Sequence, residues 1–291
     1  MNLRIFSAVS LVMILMSVFV FAQNGEISNE AKKAFNDANQ AFKQGKTTEA
    51  LEKYKEAVTI EPGFALAHYW MGNVYKRQKD YVNATKAFQT AIEKDKNMVS
   101  AYAALGYVQE LQRKFNDAIN TYQAAISIDP NEKKAHYGLG EINRKQENYK
   151  QAVPFYQKAL EIDPSYDDAL KGLGISYMEL GDYESAAGAL DAASQITRSR
   201  TEKASIFLRL GDAYRQLKRL DEAETAYNSC LENARRSLIK AGANFGLGEI
   251  YKARDKAKAL QYFREAAKDR TWKQSAEYEI DLLTNPDKYS G

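Results

Sequence analysis

Cysteine occurs once in the 291 residues, at Cys230, so no intramolecular disulfide can form and the fold must be held by packing. Histidine occurs twice, at His68 and His136, and neither stands in a Cys/His/carboxylate cluster at ligand spacing, which leaves no signature of a zinc centre. Five prolines and sixteen glycines are too few for a low-complexity or disordered chain. Also missing are a carboxylate pair set apart for general acid–base work, a GxGxxG loop and a Walker sequence. These absences point to a chain with no catalytic residues, no metal and no cofactor. A formal net charge of only +3 gives no electrostatic reason to expect nucleic acid.

What is present is a period. The step Leu139-Gly140 returns as Met71-Gly72, Leu105-Gly106 and Leu173-Gly174, and Asp163-Pro164 returns as Glu61-Pro62 and Asp129-Pro130, each at multiples of 34 residues. A fixed period of this length signals a repeat array. Within residues 133–166, Ala135, His136, Leu139 and Ile142 form one helical stripe, and Ala152, Phe155, Tyr156, Ala159, Leu160 and Ile162 form a second. Glu147-Asn148 separates the two, and Pro164 stops the second helix by removing a donor and restricting the residue before it. The unit is two short antiparallel helices. Glycine inside a helix costs roughly 1 kcal/mol relative to alanine, so its return calls for a packing reason. The expectation is close backbone approach between Gly140 and the small Ala152, with Tyr156 and Ala159 carrying the contact to the next repeat. One hairpin cannot bury its apolar face alone, so neighbours must stack.

Leu-Gly, then Ala, an aromatic four residues on, Ala three later and Pro at the end resembles the tetratricopeptide repeat, in seven copies. That resemblance implies an all-α fold, an α-solenoid wound as a right-handed superhelix. The array is expected over 31–270, with repeats starting near 31, 65, 99, 133, 167, 204 and 241, then a capping helix over 271–284 and a tail over 285–291. Ala38 stands in the glycine's place in the first copy, and Leu190 in the aromatic's place in the fifth. Two steps, to Leu210-Gly211 and to Leu247-Gly248, are 37 rather than 34 residues, and Thr197–Thr201 supplies the first insertion. In the last hairpin Ala259 arrives one residue early. Cys230 falls where other copies have alanine, which makes it a small core residue. His68 and His136 share one register position, which favours packing. Gly138-Leu139-Gly140 and Gly172-Leu173-Gly174 fall inside helices and are structural.

Met1 to Ala22 combines an early Arg4, an apolar run from Ile5 to Phe21 and the small-x-small end Val20-Phe21-Ala22. It reads as a signal peptide cut between Ala22 and Gln23, followed by a polar lead over 23–30. An uncut membrane anchor is the alternative, because the run is near the lower edge of spanning length.

In the family's arrangement the first helices of the hairpins line a concave groove. The groove residues this implies are Phe35, Asn39, Phe42, Tyr69, Asn73, Lys76, Arg77, Tyr107, Lys134, Tyr137, Glu141, Arg144, Lys171, Arg215 and Phe245, with Glu110 and Asp212 beside them. Trp70 and Trp272 fall outside it. For Tyr107 and Tyr137, groove and core are both open. Such a mixture suits an extended peptide or a partner helix. Asn39 and Asn73 match the asparagine of the family's two-carboxylate clamp, but Phe35 and Tyr69 stand where the clamp has lysine, so capture of a chaperone tail is not expected. From Arg198 to Lys273 there are 18 basic and 10 acidic residues, a net of +8, against 21 and 24, or −3, from Gln23 to Thr197. An acidic partner could meet the basic half. The expected function is a non-enzymatic scaffold, exported and acting in the periplasm or bacterial cell envelope, that binds protein partners. The alternatives are a membrane-anchored assembly subunit, touching membrane only through an uncut N-terminus, and a glycan-binding module.

Overall fold

The structure, a computed structural model, describes residues 27–289. The expected signal segment, most of the polar lead and the last two residues lie outside them. Among the described residues there are fifteen α-helices and no strand, and no helix is long and apolar enough to cross a membrane. In order these are α1 (Asn29–Lys43), α2 (Thr47–Ile60), α3 (Ala65–Arg77), α4 (Tyr81–Lys94), α5 (Val99–Leu111), α6 (Phe115–Ile128), α7 (Lys133–Lys145) and α8 (Tyr149–Ile162). They continue with α9 (Asp167–Glu179), α10 (Tyr183–Ile196), α11 (Arg200–Gln216), α12 (Leu220–Asn233), α13 (Ser237–Tyr251), α14 (Lys256–Ala266) and α15 (Lys273–Thr284), and a 3₁₀ turn follows at Pro286–Tyr289.

The helix ends follow from local chemistry. Asp80, Asp182 and Asp255 accept hydrogen bonds from the first-turn amides of α4, α10 and α14. The acid–proline steps stop α2, α6 and α8, and Glu61 and Asp163 before their prolines have left the helical region, at φ −130° and −139°. Within the hairpins, Gly45, Lys79, Arg113, Glu147, Gly181 and Lys218 all have φ between 60° and 77°, so each turn passes through one left-handed residue. The last hairpin drops that residue. Asp255 stands at its register position with φ −157°, which accounts for the early arrival of Ala259. The residues that supply the first insertion, Thr197–Thr201, lengthen a helix: Ser199 caps α11, which begins at Arg200 and runs 17 residues.

The helices form two compact units, residues 27–114 and 115–289. In the first, α1/α2 and α3/α4 are hairpins, α3 stacks on α2, and α5 packs on α4. In the second, α6 packs on α7, the pairs α7/α8, α9/α10, α11/α12 and α13/α14 are hairpins stacked in sequence, and α15 covers α14. First and second helices both supply the core, and the second helices repeat one pattern. Ala50, Ala84, Ala118, Ala152, Ala186, Ala223 and Ala259 are fully buried, as are Ala57, Ala91, Ala125, Ala159, Ala193, Cys230 and Ala266. Between each such pair lies a buried ring or branched chain: Tyr54, Phe88, Tyr122, Tyr156, Leu190, Tyr227 or Phe263.

Candidate functional site

Those buried side chains decide what the first-helix faces can offer. A Cβ on Gly140 would stand 2.8 Å from the Tyr156 ring, and one on Gly172, in the following first helix, 2.5 Å from the same ring. Tyr227 is enclosed in the same way by Gly211 and Gly246. The close approach at Gly140 is therefore made by the Tyr156 ring on a bare backbone and not, as the sequence suggested, by Ala152. In Gly138-Leu139-Gly140 the two glycines serve two different rings, since Gly138 faces Tyr122.

The ring's hydroxyl then claims the residue after the glycine. Tyr54 donates to Asn39 Oδ1 at 2.6 Å, Tyr156 to Glu141 Oε1 at 2.6 Å, and Tyr227 to Asp212 Oδ1 at 2.7 Å. Burial pushes the Tyr54 hydroxyl up to about 12, and it raises those of Tyr156 and Tyr227 further, with Glu141 and Asp212 adding to the effect. At Glu141 burial works against ionisation, yet hydrogen bonds from Arg144 (3.0 and 2.7 Å) and Tyr156 prevail and hold the carboxyl below its ordinary range. Asp212 has no such bidentate partner, and burial raises it. Arg215 instead donates weakly to the Tyr227 oxygen, at 3.4 Å.

The groove expected from sequence therefore shrinks. Phe35 is 9% exposed and packs on Tyr54 and Phe64, so it is core. Tyr137 packs on Tyr156 and Tyr166, and Phe245 lies between Phe263 and Trp272. Glu110 is buried. Asn39, Glu141, Arg144, Asp212 and Arg215 are engaged by core tyrosines or by one another, for the reasons just given. Asn73 donates to its own Tyr69 carbonyl at 3.1 Å. Lys171 is held by Asp168 at 2.7 Å and Glu202 at 2.8 Å, an ion pair that ties α9 to α11. Lys134 stays exposed.

The remaining expected residues that are only partly buried and adjoin one another lie in the first unit, on α1, α3 and α5. Phe42 meets Trp70 edge-on at 5.8 Å, Trp70 meets Tyr69 at 5.6 Å, and Tyr69 reaches inward to Phe88. The Arg77 guanidinium lies 5.4 Å over the Phe42 ring, and the Lys76 ammonium 5.6 Å over the Tyr107 ring. Tyr107 is 43% exposed, which resolves its two readings in favour of the surface. Trp70 adjoins Phe42, an expected groove residue, whereas Trp272 packs on Phe245, which the structure places against the core. The patch is partly apolar and carries two cations, a combination suited to aromatic and acidic groups.

The cysteine and the two histidines are committed to structure. Cys230 is buried, and burial, with Asp212 adding, pushes its thiol up to about 12, far from a reactive thiolate. His68 and His136 each direct Nε2 at a proline carbonyl, Pro62 at 3.2 Å and Pro130 at 2.9 Å, in the same register. Among the described residues no cluster of histidine, cysteine and carboxylates could hold a metal.

Comparison with known proteins agrees with this architecture. A family model described as TPR repeat matches residues 38–79 and 111–146, and four described as tetratricopeptide repeat match 65–98, 134–166, 166–236 and 208–275. No curated protein matches the sequence. Among solved structures, the C-terminal part of a TPR repeat-containing protein from Cytophaga hutchinsonii is 17% identical, with a TM-score of 0.67 over 84% of this chain and 99% of that one. A tetratricopeptide repeat protein from Parabacteroides merdae is 17% identical, with a TM-score of 0.57 over 89% of this chain and all of the other. YrrB, a TPR protein with an unusual peptide-binding site, is 18% identical, with a TM-score of 0.53 over 64% of this chain and 94% of that one. The glycine–ring contacts, the helical hairpins and the family matches lead to one assignment: the chain belongs to the tetratricopeptide repeat family, an all-α α-solenoid fold that serves as a protein-interaction scaffold.

Proposed function

We propose that this scaffold captures an extended segment of a partner protein on the first-helix face of residues 27–114, through Phe42, Trp70, Arg77, Lys76 and Tyr107. The observation that carries this is two ring–cation pairs on neighbouring first helices, Arg77 over Phe42 in a half-buried cluster with Trp70 and Tyr69, and Lys76 over the exposed Tyr107. Rings supply contact area at low entropic cost, and the cations select acidic or aromatic residues in the segment. YrrB, which shares the fold, has a peptide-binding site. Linear peptides selected by phage display on the full chain are expected to be rich in aspartate, glutamate and aromatics. Arg77→Ala and Tyr107→Ala should each weaken the selected peptide about tenfold, equivalent to about 1.4 kcal/mol, without changing the thermal melt. Undiminished binding by both variants removes this face from the argument.

The setting proposed is the bacterial cell envelope, on the strength of the Met1–Ala22 pattern. Expression in a bacterial host followed by fractionation and N-terminal sequencing tests it. A periplasmic product beginning at Gln23 is expected. A chain retained whole in the membrane favours the anchored assembly subunit.

A further inference from the structure

The second unit contains a cavity of about 330 Å³ that the face described above does not use. It opens where α10, α11 and α12 meet. Phe207, Leu210 and Tyr214 of α11, with Ala226 of α12, make the wall apolar. The polar lining is one-sided: Asp191, Asp221 and Glu222 bring three carboxylates, Thr225 and Ser229 bring hydroxyls, and no lysine or arginine lines the space. All of this lining but Asp191 falls inside the segment from Arg198 to Lys273, where 18 basic residues outnumber 10 acidic ones.

Neighbouring hairpins show why the space is open here. One repeat earlier, Gln157 of α8 donates to the Tyr177 hydroxyl of α9 at 2.9 Å and so bridges the corresponding gap. One repeat later, the Tyr251 hydroxyl of α13 donates to Glu224 of α12 at 2.7 Å. Between them, Asp191 takes the place of Gln157 and has no N–H to offer. Its carboxylate accepts from Gln195 on its own helix at 2.9 Å, and Tyr214, the counterpart of Tyr177, makes no such bond among the described residues. Ala226 adds room, since the same register position holds Phe155 in α8 and Tyr262 in α14. Two arginines outside the lining partner two of its carboxylates: Arg219 pairs with Glu184 and Glu222 and stacks 4.7 Å over Tyr214, and Arg254 pairs with Asp221, which leaves Asp191 as the lining carboxylate with no lysine or arginine partner among the described residues.

From this cavity we infer a second recognition site, on the side of the array formed by the second helices, for a basic–apolar peptide segment: one aromatic or aliphatic side chain inserted between α10 and α12, flanked by lysine or arginine. The volume is at the lower end of the roughly 300–1,000 Å³ of ligand sites, enough for one anchoring side chain and not for a folded element. The occupant's charge follows from the lining, because a cation gains attraction to Asp191, whose carboxylate has no cationic partner among the described residues, whereas an acidic segment meets it as a like charge. The site is independent of the first-helix face, which is cationic and lies in the other unit.

Titration of the full chain with acetyl-Lys-Phe-Lys-amide, followed by two-dimensional amide NMR and calorimetry, tests the inference. Saturable shifts confined to α10–α12 are expected, with acetyl-Glu-Phe-Glu-amide at least tenfold weaker and acetyl-Lys-Gly-Lys-amide silent. Ala226→Leu should abolish binding by filling the space. Because Ala226 is buried, Asp191→Lys provides a second variant outside the core and should weaken binding at least tenfold with an unchanged melt. Arg77→Ala should leave this titration as it is, which separates the site from the first-helix face. Absence of binding, equal affinity for the acidic peptide, or affinity unmoved by Asp191→Lys overturns the proposal.

Discussion

Glycines inside the helices of this array do different work, and the difference is measurable. Gly188, on the exposed side of α10, has nothing within 4 Å of where a Cβ would lie, so Gly188→Ala should stabilise by about 1 kcal/mol through helix propensity alone. Gly140→Ala would gain the same propensity but drive a methyl to 2.8 Å from the fully buried Tyr156 ring, and overpacking of this kind costs about 1–3 kcal/mol. Urea unfolding of both variants should give opposite signs. Two stabilised variants would show that the ring can retreat. A second residue-scale prediction concerns two carboxylates in one register position. Glu141 is held below its ordinary 4.5, so its contribution is present above that pH and is lost as pH falls through the folded value. Asp212 is raised above its ordinary 3.8, so the folded state loses stability as pH climbs from there through the folded value. Glu141→Gln should therefore destabilise at pH 7 by about 1–3 kcal/mol, with the deficit closing in acid. Asp212→Asn should stabilise at pH 7, because an amide still accepts from Tyr227 as Asn39 does from Tyr54, with the gain fading in acid. Denaturation midpoints at pH 7 and pH 4 check both, and a less stable Asp212→Asn at pH 7 would contradict the ordering.

At the scale of elements, six hairpin turns share one left-handed residue, filled by glycine twice and by lysine, arginine or glutamate elsewhere. Left-handed backbone costs a residue with a Cβ roughly 1–2 kcal/mol. Gly181→Ala is thus expected to destabilise by about 1 kcal/mol. Glu147→Gly should be neutral or slightly stabilising, because relief at the turn is offset by the greater freedom of glycine in the unfolded chain. Thermal melts compare the pair, and equal losses would mean that the turns are not strained. The hairpins themselves were legible in the sequence: the alanines, the rings and the acid–proline stops repeat at a spacing only paired helices satisfy. The lengthened α11 was not. Thr197–Thr201 is polar, and polar residues signal equally a loop and an exposed helical turn, until Ser199 is seen accepting from the Glu202 amide.

For the whole molecule, each hairpin touches only its neighbours in sequence, so stability should be distributed and not pooled in one core. Tyr227→Ala removes the ring enclosed by Gly211 and Gly246, a loss of about 3–5 kcal/mol in a buried site. Amide hydrogen exchange should accelerate across α11–α14 and leave α1–α4 as protected as before. Uniform acceleration along the chain would show a single cooperative block.

The candidate surface was legible only in part, and the tyrosines explain why. Asn39, Glu141 and Asp212 look outward by helical periodicity, yet each is taken by a core hydroxyl 15 residues later in the chain. The residue after the glycine gave no warning, since Asn73 and Glu249 hold the same position in repeats whose ring is Phe88 or Phe263 and has no hydroxyl. Sequence by itself determined the all-α repeat and the register of its alanines and rings, because these depend on contacts between residues a fixed distance apart. Only the tertiary structure decided which polar residues remain to meet a partner, that Trp70 joins Phe42, Arg77 and Tyr69 in one patch, and that a cavity opens beside Tyr214. Those outcomes turn on how long side chains reach across helices that the period treats as equivalent, and on single departures such as Asp191 for Gln157.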